Sequence, residues 1–246
     1  MVNILKLLTV SALITLANVA VAGSQTADFT NYGRQGHTYN QITDSTGKVN
    51  ATAWADTGGR KDNKIEQARY LARYYGGWGI TNRDGGDGHT ADNYSGGNDY
   101  DFFLVDFTHS VNLTGATFGY LTSGNLGVSY AALDESKFSG SLTGLTWQQV
   151  ASNLYSTGSG SSAITRNANN TGYFINNNVG STSRYWLIGA FNSVFGSLDH
   201  IKHGGFKLET VSFTKKLPTT EVSEPSVLLV FGLALIALAG RRVKKA

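Results

Sequence analysis

The chain has 246 residues and no cysteine, and its 20 Lys and Arg against 17 Asp and Glu give a net charge of +3. The lack of cysteine excludes disulfides and thiol catalysis. Five of the 20 cations lie in the terminal segments, whereas all 17 acids lie between Gly23 and Pro225, so the body carries 15 basic against 17 acidic residues, about −2. No cluster of cations occurs in this body, which excludes a nucleic-acid partner.

The first 22 residues have the three parts of a secretory signal peptide. Lys6 is followed by an apolar stretch, residues 7–16, and then by small residues that include Ala20 and Ala22. This order predicts export through the Sec translocon and cleavage by signal peptidase between Ala22 and Gly23. The alternative is a buried N-terminal helix.

Residues 23–59 are polar and rich in turn-forming residues, with weak strand candidates at 38–42 and 48–54. Asn63 then precedes Glu66 by three positions, and apolar residues repeat at helical spacing after it. This capping pattern and spacing predict a short helix over residues 64–75, which Gly76 and Gly77 end.

Residues 82–101 show no apolar periodicity, and a segment of that length in a compact domain is usually functional or disordered. It contains five aspartates interleaved with glycines: Asp84, Asp87, Asp92, Asp99 and Asp101. Carboxylates on a flexible loop suit Ca²⁺, which takes about six to eight oxygen ligands, although the spacing differs from an EF-hand. Crowded carboxylates also repel each other unless a cation compensates them. We therefore consider a calcium site here, with a solvated acidic loop as the alternative.

Strand signals, in segments rich in β-branched and aromatic residues, are strong after this loop. The segments are residues 102–107, 111–121, 126–133, 141–150, 172–175, 185–191 and 206–213. Tracts rich in Asn, Ser and Gly at 156–162 and 167–178 are predicted surface loops. Strands at this spacing with almost no helix predict an all-β domain over residues 23–217, an antiparallel β-sandwich or jelly roll.

Other residues that could carry chemistry are scattered along the body. His89, His200 and His203 could bind zinc only if the fold brought them together, and surface histidines are the alternative. A glycosidase needs two carboxylates that face each other across a cleft, and nothing in the sequence singles out a pair. The acids outside the loop that could be chosen for such a pair are Asp106, Asp134, Glu135, Asp199 and Glu209. No nucleophile elbow, phosphate-binding loop or dinucleotide fingerprint occurs.

Exposed aromatic residues are a further means of binding sugar, because their rings stack on sugar rings. The four tryptophans are Trp54, Trp78, Trp147 and Trp186. Most tryptophans are buried to a large extent, so we expect at most one of the four to be exposed.

The C-terminal residues form three consecutive parts. The first is a polar motif made of Ser223, Glu224, Pro225 and Ser226. An uncharged apolar segment, residues 227–240, follows, and it would span about 21 Å as a helix, less than a hydrocarbon core of roughly 30 Å. The last part is a basic cluster, Arg241, Arg242, Lys244 and Lys245. These cations favour a cytoplasmic C-terminus and can snorkel to extend the span.

This three-part order resembles the PEP-CTERM sorting signal, which is read by membrane-embedded exosortases. The family pattern has proline before the Glu-Pro pair, whereas Ser223 stands there in this chain. The resemblance implies an exosortase partner, a linker with the sorting motif over residues 218–226, and a transmembrane helix with a basic tail over residues 227–246. A plain C-terminal anchor is the alternative.

Segments of the body look like the signature of exosortase-dependent surface proteins of the XDP type. They are residues 76–88 (GGWGITNRDGGDG), 91–93, 98–107 (NDYDFFLVDF), 146–150, 184–190 (RYWLIGA) and 205–208. The resemblance implies a secreted sandwich domain that is associated with exopolysaccharide and has no assigned activity. One departure follows Leu121, where Thr122 to Asn125 stand in place of an acidic loop.

These observations favour a non-enzymatic exported protein of the cell surface or extracellular matrix, sorted by an exosortase and associated with exopolysaccharide. The precursor is expected in the inner membrane with its body outside the cytoplasm. The alternatives are a calcium-dependent carbohydrate-binding module and a polysaccharide hydrolase.

Overall fold

A strand of 21 residues, β9 (Asp101–Leu121), runs through the centre of the fold in the computed structural model of the chain. It is rich in β-branched and aromatic residues, whose side chains pack well on a pleated surface. The structure describes residues 23–30, 36–38, 41–56, 63–83, 89–94, 99–122, 124–154, 158–176 and 180–215. All of these residues belong to one compact unit, Met1–Lys216.

Within these residues the chain is mostly strand. The strands before β9 are β1 (Ser24–Asp28), β2 (Gly36–Thr38), β3 (Ile42–Thr43), β4 (Val49–Asp56), β5 (Ile65–Gln67), β6 (Tyr70–Tyr74), β7 (Gly77–Thr81) and β8 (Ala91–Asp92). The strands after it are β10 (Gly127–Ala132), β11 (Gly160–Ala163), β12 (Thr165–Arg166), β13 (Gly172–Ile175), β14 (Ser183–Ala190) and β15 (Gly205–Lys215). The helical segments are α1 (Trp147–Gln149), a π-helix (Val150–Leu154) and a 3₁₀ helix (Ala168–Asn170).

All strand pairings are antiparallel and belong to one sheet, which confirms the predicted all-β antiparallel class. The main path through the sheet is β11-β10-β14-β9-β15-β7-β6-β2. The first half of β9 pairs with β4 and β14, and its second half pairs with β13 and β15. The predicted strands at 102–107 and 111–121 are therefore two halves of one strand.

Side chains in the first half of β9 alternate between two hydrophobic clusters, because successive residues of a strand point to opposite faces. Phe103, Val105 and Phe107 belong to the larger cluster, and Phe102 and Leu104 belong to the smaller one. The larger cluster also contains residues of the second half of β9 and of β7, β14 and β15. Burial of both faces explains why this strand reads as a nearly continuous apolar run.

Residues 141–150 do not form the strand predicted there. Thr146 Oγ1 accepts a hydrogen bond from the Gln149 amide, and the Gln149 side chain accepts one from the Thr146 amide. This reciprocal capping box begins helix α1. It allows Leu142, Trp147 and Val150 to pack into the smaller cluster, so their burial comes from a turn and a helix rather than from strand alternation.

The predicted helix over residues 64–75 is also wrong. Strand β5 pairs with β4, and β6 pairs with β7. Asn63 has a left-handed φ of 51°, whereas an N-cap residue has extended backbone. Tyr70, Tyr74 and their neighbours form one arm of a hairpin, so tertiary pairing overrides the local helical spacing.

Several predicted elements are confirmed within a few residues. Strands β10, β13, β14 and β15 lie where the segments 126–133, 172–175, 185–191 and 206–213 were expected, and β4 covers most of 48–54. The predicted loop at 156–162 contains the start of β11, and the predicted loop at 167–178 contains the 3₁₀ helix and β13. In the strand candidate at 38–42, only the first residue belongs to β2 and only the last belongs to β3.

The signal segment, residues 1–22, and the predicted linker and tail, residues 218–246, lie outside the described residues. This applies to the cleavage site at Ala22, the sorting motif from Ser223 to Ser226 and the basic cluster. In the part of the chain that the structure describes, no helix is long and apolar enough to cross a membrane.

Gly79 provides a test of how closely β7 packs on the segment before β8. A Cβ atom at this position would lie 1.6 Å from the His89 carbonyl oxygen, whereas a Cβ at Gly36 in β2 would have nothing within 4 Å. We expect Gly79→Ala to lower the free energy of unfolding by about 3 kcal/mol and Gly36→Ala to change it by less than about 0.5 kcal/mol. Urea denaturation of both variants measures this difference, and equal effects would contradict the packing.

Candidate functional site

The loop aspartates that the structure describes are buried. Asp92 lies in β8, which pairs with β15, and it is 2% exposed. Asp99 and Asp101 are 4% and 0% exposed, so the solvated acidic loop does not describe these three residues. Asp84 and Asp87 lie outside the described residues.

The buried aspartates are joined by hydrogen bonds. Asn82 Nδ2 donates to Asp99 Oδ1 at 2.8 Å and lies 3.4 Å from Asp101 Oδ1. The Asp92 amide donates to Asp101 Oδ2 at 3.3 Å, and Thr90 Oγ1 donates to Asp92 Oδ2 at 2.8 Å. Among the described residues, no group of three or more His, Cys, Asp or Glu is arranged to hold a metal ion. These contacts hold the backbone around the loop. The calcium site remains a prediction.

The three histidines considered for zinc are in different surroundings. His89 stacks on Tyr74 with 4.6 Å between ring centroids, and His203 Nδ1 donates to the Asn93 carbonyl at 2.9 Å. His200 is an exposed turn residue with φ of 59°. The fold therefore gives each histidine its own local contacts.

All four tryptophans are buried, with exposures of 6% for Trp54, 5% for Trp78, 3% for Trp147 and 0% for Trp186. Sugar stacking on a tryptophan face is thereby excluded in this structure. Among the described residues, the large apolar side chains that are exposed are Tyr75, Tyr94, Tyr120 and Ile175. Tyr75, at 86% exposure, follows the end of β6.

Most of the acids considered for glycosidase chemistry have structural partners or stand in solvent. Asp106 holds Arg184 through two hydrogen bonds of 2.7 and 3.1 Å, and Glu135 accepts from the Arg184 amide at 2.8 Å. Asp134 accepts from the Ser136 amide in a local turn, and Asp199 is exposed. Glu209 lines a cleft.

A cleft of about 310 Å³ opens at the turn between β6 and β7, and we call it the hairpin cleft. It is lined by Thr30, Arg73, Tyr74, Tyr75 and Glu209, together with Gly76 and Gly77 of the turn. A volume of this size lies at the lower end of the range that small-molecule ligands occupy.

Two glycines set the shape of the hairpin cleft. Gly76 and Gly77 have φ of +86° and +109°, which L side chains rarely adopt. A Cβ atom at Gly76 would lie 2.3 Å from the Gly119 carbonyl oxygen, and one at Gly77 would lie 2.5 Å from the Leu208 carbonyl oxygen. The turn can therefore lie against β9 and β15 only because both residues are glycine.

Strand β15 is irregular beside the hairpin cleft. Its register against β9 shifts between Lys207 and Leu208 and again between Leu208 and Thr210. Such irregularities redirect side chains and are common next to functional sites. Leu208 remains fully buried, while Glu209 lines the cleft and Lys207 pairs with Tyr120 across the strands.

The polar walls of the hairpin cleft include a guanidinium and a carboxyl group. Arg73 Nη2 donates to the Thr30 carbonyl oxygen, whereas Arg73 Nη1 is buried and has no hydrogen-bond partner. Burial, and to a lesser degree the negative charge of Asp28, raises the pKa of the Glu209 carboxyl group. Among the described residues, neither Arg73 nor Glu209 forms an ion pair, so both groups can bind a polar ligand.

Next to the hairpin cleft, a buried lysine lies between two tyrosine rings. Lys207 is 7% exposed, and its Nζ lies 5.3 Å from the centroid of the Tyr74 ring and 5.1 Å from that of the Tyr120 ring. Burial lowers the pKa of the Lys207 ammonium. We call Tyr74, Tyr120 and Lys207 the tyrosine–lysine face, and Tyr74 also lines the cleft.

Two histidines also lie near Tyr74. The His37 ring is 6.0 Å from the Tyr74 ring and 6.1 Å from the His89 ring. Burial, and then the positive charges of His37 and Lys207, lower the pKa of His89. Tyr74 is therefore surrounded by three basic side chains.

Comparison with known proteins finds no matching family model, no significantly similar curated protein and no significantly similar solved structure.

The sequence did not indicate the residues that line this site, apart from Glu209. Tyr70, Tyr74 and Tyr75 precede two glycines, and the strand alternation of this stretch was masked by its helical spacing. If the aromatic residues before Gly-Gly had been predicted as one arm of a β-hairpin, the residues that line the cleft could have been identified. No local signal marks Lys207, because its partners come from β6 and β9.

Proposed function

We propose that the chain is an exported, non-enzymatic protein of the cell surface or extracellular matrix, and that it binds polysaccharide at the hairpin cleft. The observation that carries the proposal is the exposed Tyr75 ring beside Arg73 Nη1, which is buried without an acceptor, and the Glu209 carboxyl group. Sugars offer both complementary features, an apolar ring face that stacks on an aromatic ring and hydroxyl groups that accept and donate hydrogen bonds.

Binding is favoured over hydrolysis by the number of acids in the hairpin cleft. A glycosidase of the usual kind requires two carboxylates on opposite sides of the scissile bond. Among the described residues that line the cleft, Glu209 is the only carboxylate. Its raised pKa suits a general acid, and hydrolysis is therefore the second candidate function.

For the architecture we propose a β-sandwich, the finer assignment within the antiparallel all-β class. The larger hydrophobic cluster supports it, because residues from both halves of β9 contribute to one core while their strand partners differ. A sheet that folds across such a core has the layered arrangement of a sandwich. The sequence resemblance to the XDP-type surface proteins implies the same architecture.

Sequence features at both ends support export and sorting. The segment before Gly23 has the order of a signal peptide, and the last residues have the order of a PEP-CTERM signal, with Ser223 before Glu224 and Pro225. We propose that signal peptidase removes the first segment and that an exosortase acts on the tail.

Intact-mass spectrometry of the protein recovered from its natural cells tests the sorting proposal. We expect a species that begins at Gly23 and lacks the apolar segment 227–240. Cells without their exosortase should instead retain the longer species in the membrane fraction. Recovery of residues 227–246 from the surface of normal cells would contradict processing and would support the plain anchor.

Binding of the full chain, in mild detergent, to the polysaccharide of its natural cells tests the proposed function. Tyr75→Ala should weaken binding by about tenfold, because the loss of a stacked ring removes roughly 1.4 kcal/mol. The control is Ile175→Ala, which shortens another exposed apolar side chain, 58% exposed, on β13. Unchanged binding of Tyr75→Ala, or no binding by the unmodified chain to this polysaccharide or to a glycan array, contradicts the proposal.

Calcium dependence is the alternative form of this binding function, and it rests on the loop aspartates. If Ca²⁺ binds the folded chain at Asp84, Asp87, Asp92, Asp99 or Asp101, millimolar calcium should raise the melting temperature, because a ligand of the native state stabilises it. Differential scanning calorimetry with calcium, with magnesium and with a chelator measures the effect. A melting temperature that is the same in all three conditions contradicts calcium binding.

A further inference from the structure

Lys207 is a buried cation without a counter-charge. The residue is 7% exposed, and none of the ion pairs among the described residues includes it. Its ammonium group lies over the rings of Tyr74 and Tyr120. Burial of an ammonium group without an acid is unfavourable, and buried charges in proteins are normally paired.

The tyrosine rings compensate this cost only in part. A cation over a ring face is attracted by the quadrupole of the ring, but a ring supplies no hydrogen-bond acceptor for an ammonium group. Burial lowers the pKa of Lys207. An anion at Nζ would provide the missing counter-charge.

The side chains around this position are also basic, which suits an anion. Lys207 and His89 flank the Tyr74 ring from β15 and from the segment before β8, and His37 approaches it from β2. The positive charges of His37 and Lys207 both act on His89. The nearest carboxyl group along β15, Glu209, lines the hairpin cleft and forms no ion pair with Lys207 among the described residues.

Tyr74 connects this basic position with the hairpin cleft. The side chain lines the cleft, and its ring face is also directed at Lys207 Nζ, 5.3 Å from the ring centroid. A sugar ring that contacts Tyr74 and Tyr75 would thus bring an exocyclic acidic group close to Lys207. A neutral sugar would leave the buried ammonium unpaired.

We propose that the ligand of this site is an acidic saccharide, and that Lys207 binds the carboxylate or sulfate substituent of a sugar ring held in the hairpin cleft. This inference rests on the proposed polysaccharide binding and specifies the class of polymer. The tyrosine–lysine face is then the part of the site that determines specificity, while Tyr75 and Arg73 contact features that all sugars share.

The test uses the full chain in mild detergent and three oligosaccharides of equal length, an oligomer of galacturonic acid, its carboxyl-reduced neutral counterpart, and a sulfated galactose oligomer. Titration calorimetry measures each affinity. We expect at least one acidic oligomer to bind about tenfold more tightly than the neutral one, and this preference to decrease with added salt because ionic interactions are screened. The acidic oligomer that binds more tightly identifies the substituent.

The variant Lys207→Met tests the role of the lysine. It should abolish the preference for acidic oligomers, so that the acidic and the neutral oligomers bind with similar affinity. The control Lys202→Met removes a neighbouring exposed lysine and should keep the preference. If Lys207→Met does not fold, Lys207→Gln replaces it with the same expectation.

The outcomes separate this inference from the proposed function. Equal binding of acidic and neutral oligomers, or a preference that survives in Lys207→Met, overturns the acidic-saccharide inference while sugar binding stands. Binding of none of the oligomers, and of no natural polysaccharide, overturns both. Loss of the acidic preference in Lys207→Met, with neutral binding retained, supports both.

The melting temperature of Lys207→Met provides an independent check on the buried charge. Because the pKa of Lys207 is lowered in the folded chain, the unfolded chain binds more protons at pH values up to the ordinary lysine pKa, and the unmodified protein gains stability as the pH rises toward it. Lys207→Met lacks this gain. Its melting temperature should therefore be highest relative to the unmodified protein near pH 7 and should lose that advantage near pH 10, whereas a constant difference contradicts an uncompensated ammonium.

Discussion

The fold depends on the continuous strand β9, because the hydrogen bonds of its two halves hold different parts of the sheet. The first half lies between β4 and β14, and the second half lies between β13 and β15. Its side chains reach two hydrophobic clusters, one on each face of the first half. A break in this strand would separate the neighbours of β15 from those of β14, and with them the elements that form the hairpin cleft.

The proposed binding site lies where the regular pairing of β9 and β15 is interrupted. The register shifts around Leu208 keep this residue in the core while Lys207 and Glu209 face Tyr120 and the cleft. The Gly76-Gly77 turn then brings the β6–β7 hairpin against the same strands. The close approach of the hairpin backbone and the irregularity of β15 together place the tyrosines of the cleft beside polar groups that form no ion pair among the described residues. If Lys207 binds an acidic ligand as proposed, its unpaired ammonium lowers the stability of the free protein and serves recognition, as is common at functional sites.

Elements that depend on local burial were predictable from the sequence, whereas elements that depend on pairing with distant strands were not. Strands such as β13 and β14 were predictable because their alternation or apolar run reflects local burial. Residues 64–75 were not, since Ile65, Leu71 and Ala72 fit a helix and a pair of strands equally well, and only pairing with β4 and β7 decides between them. The same limit applies to residues 141–150, where the capping box of Thr146 competes with β-branched composition.

The site was less predictable than the fold. Tryptophan was the expected sugar-stacking residue, but all four tryptophans are core residues. We propose tyrosines of one hairpin for that role instead. Among the acids, Glu209 could be named but not distinguished, because its raised pKa results from burial beside β1 and Asp28. The significance of Lys207 depends on two rings that are distant in sequence and on the lack of an acid beside its ammonium, and neither property can be read from a single chain segment.

We propose that the tyrosine–lysine face and the hairpin cleft form one saccharide-binding surface. NMR spectroscopy with assigned tyrosine rings and lysine side chains measures this most directly, by following chemical shifts as the galacturonic acid oligomer is added to the full chain in detergent. The account predicts that the largest changes occur at Tyr74, Tyr75 and Lys207, with little change at Ile175 on β13. Changes confined to residues outside this surface, or a saturable interaction that leaves these three side chains unaffected, would contradict it.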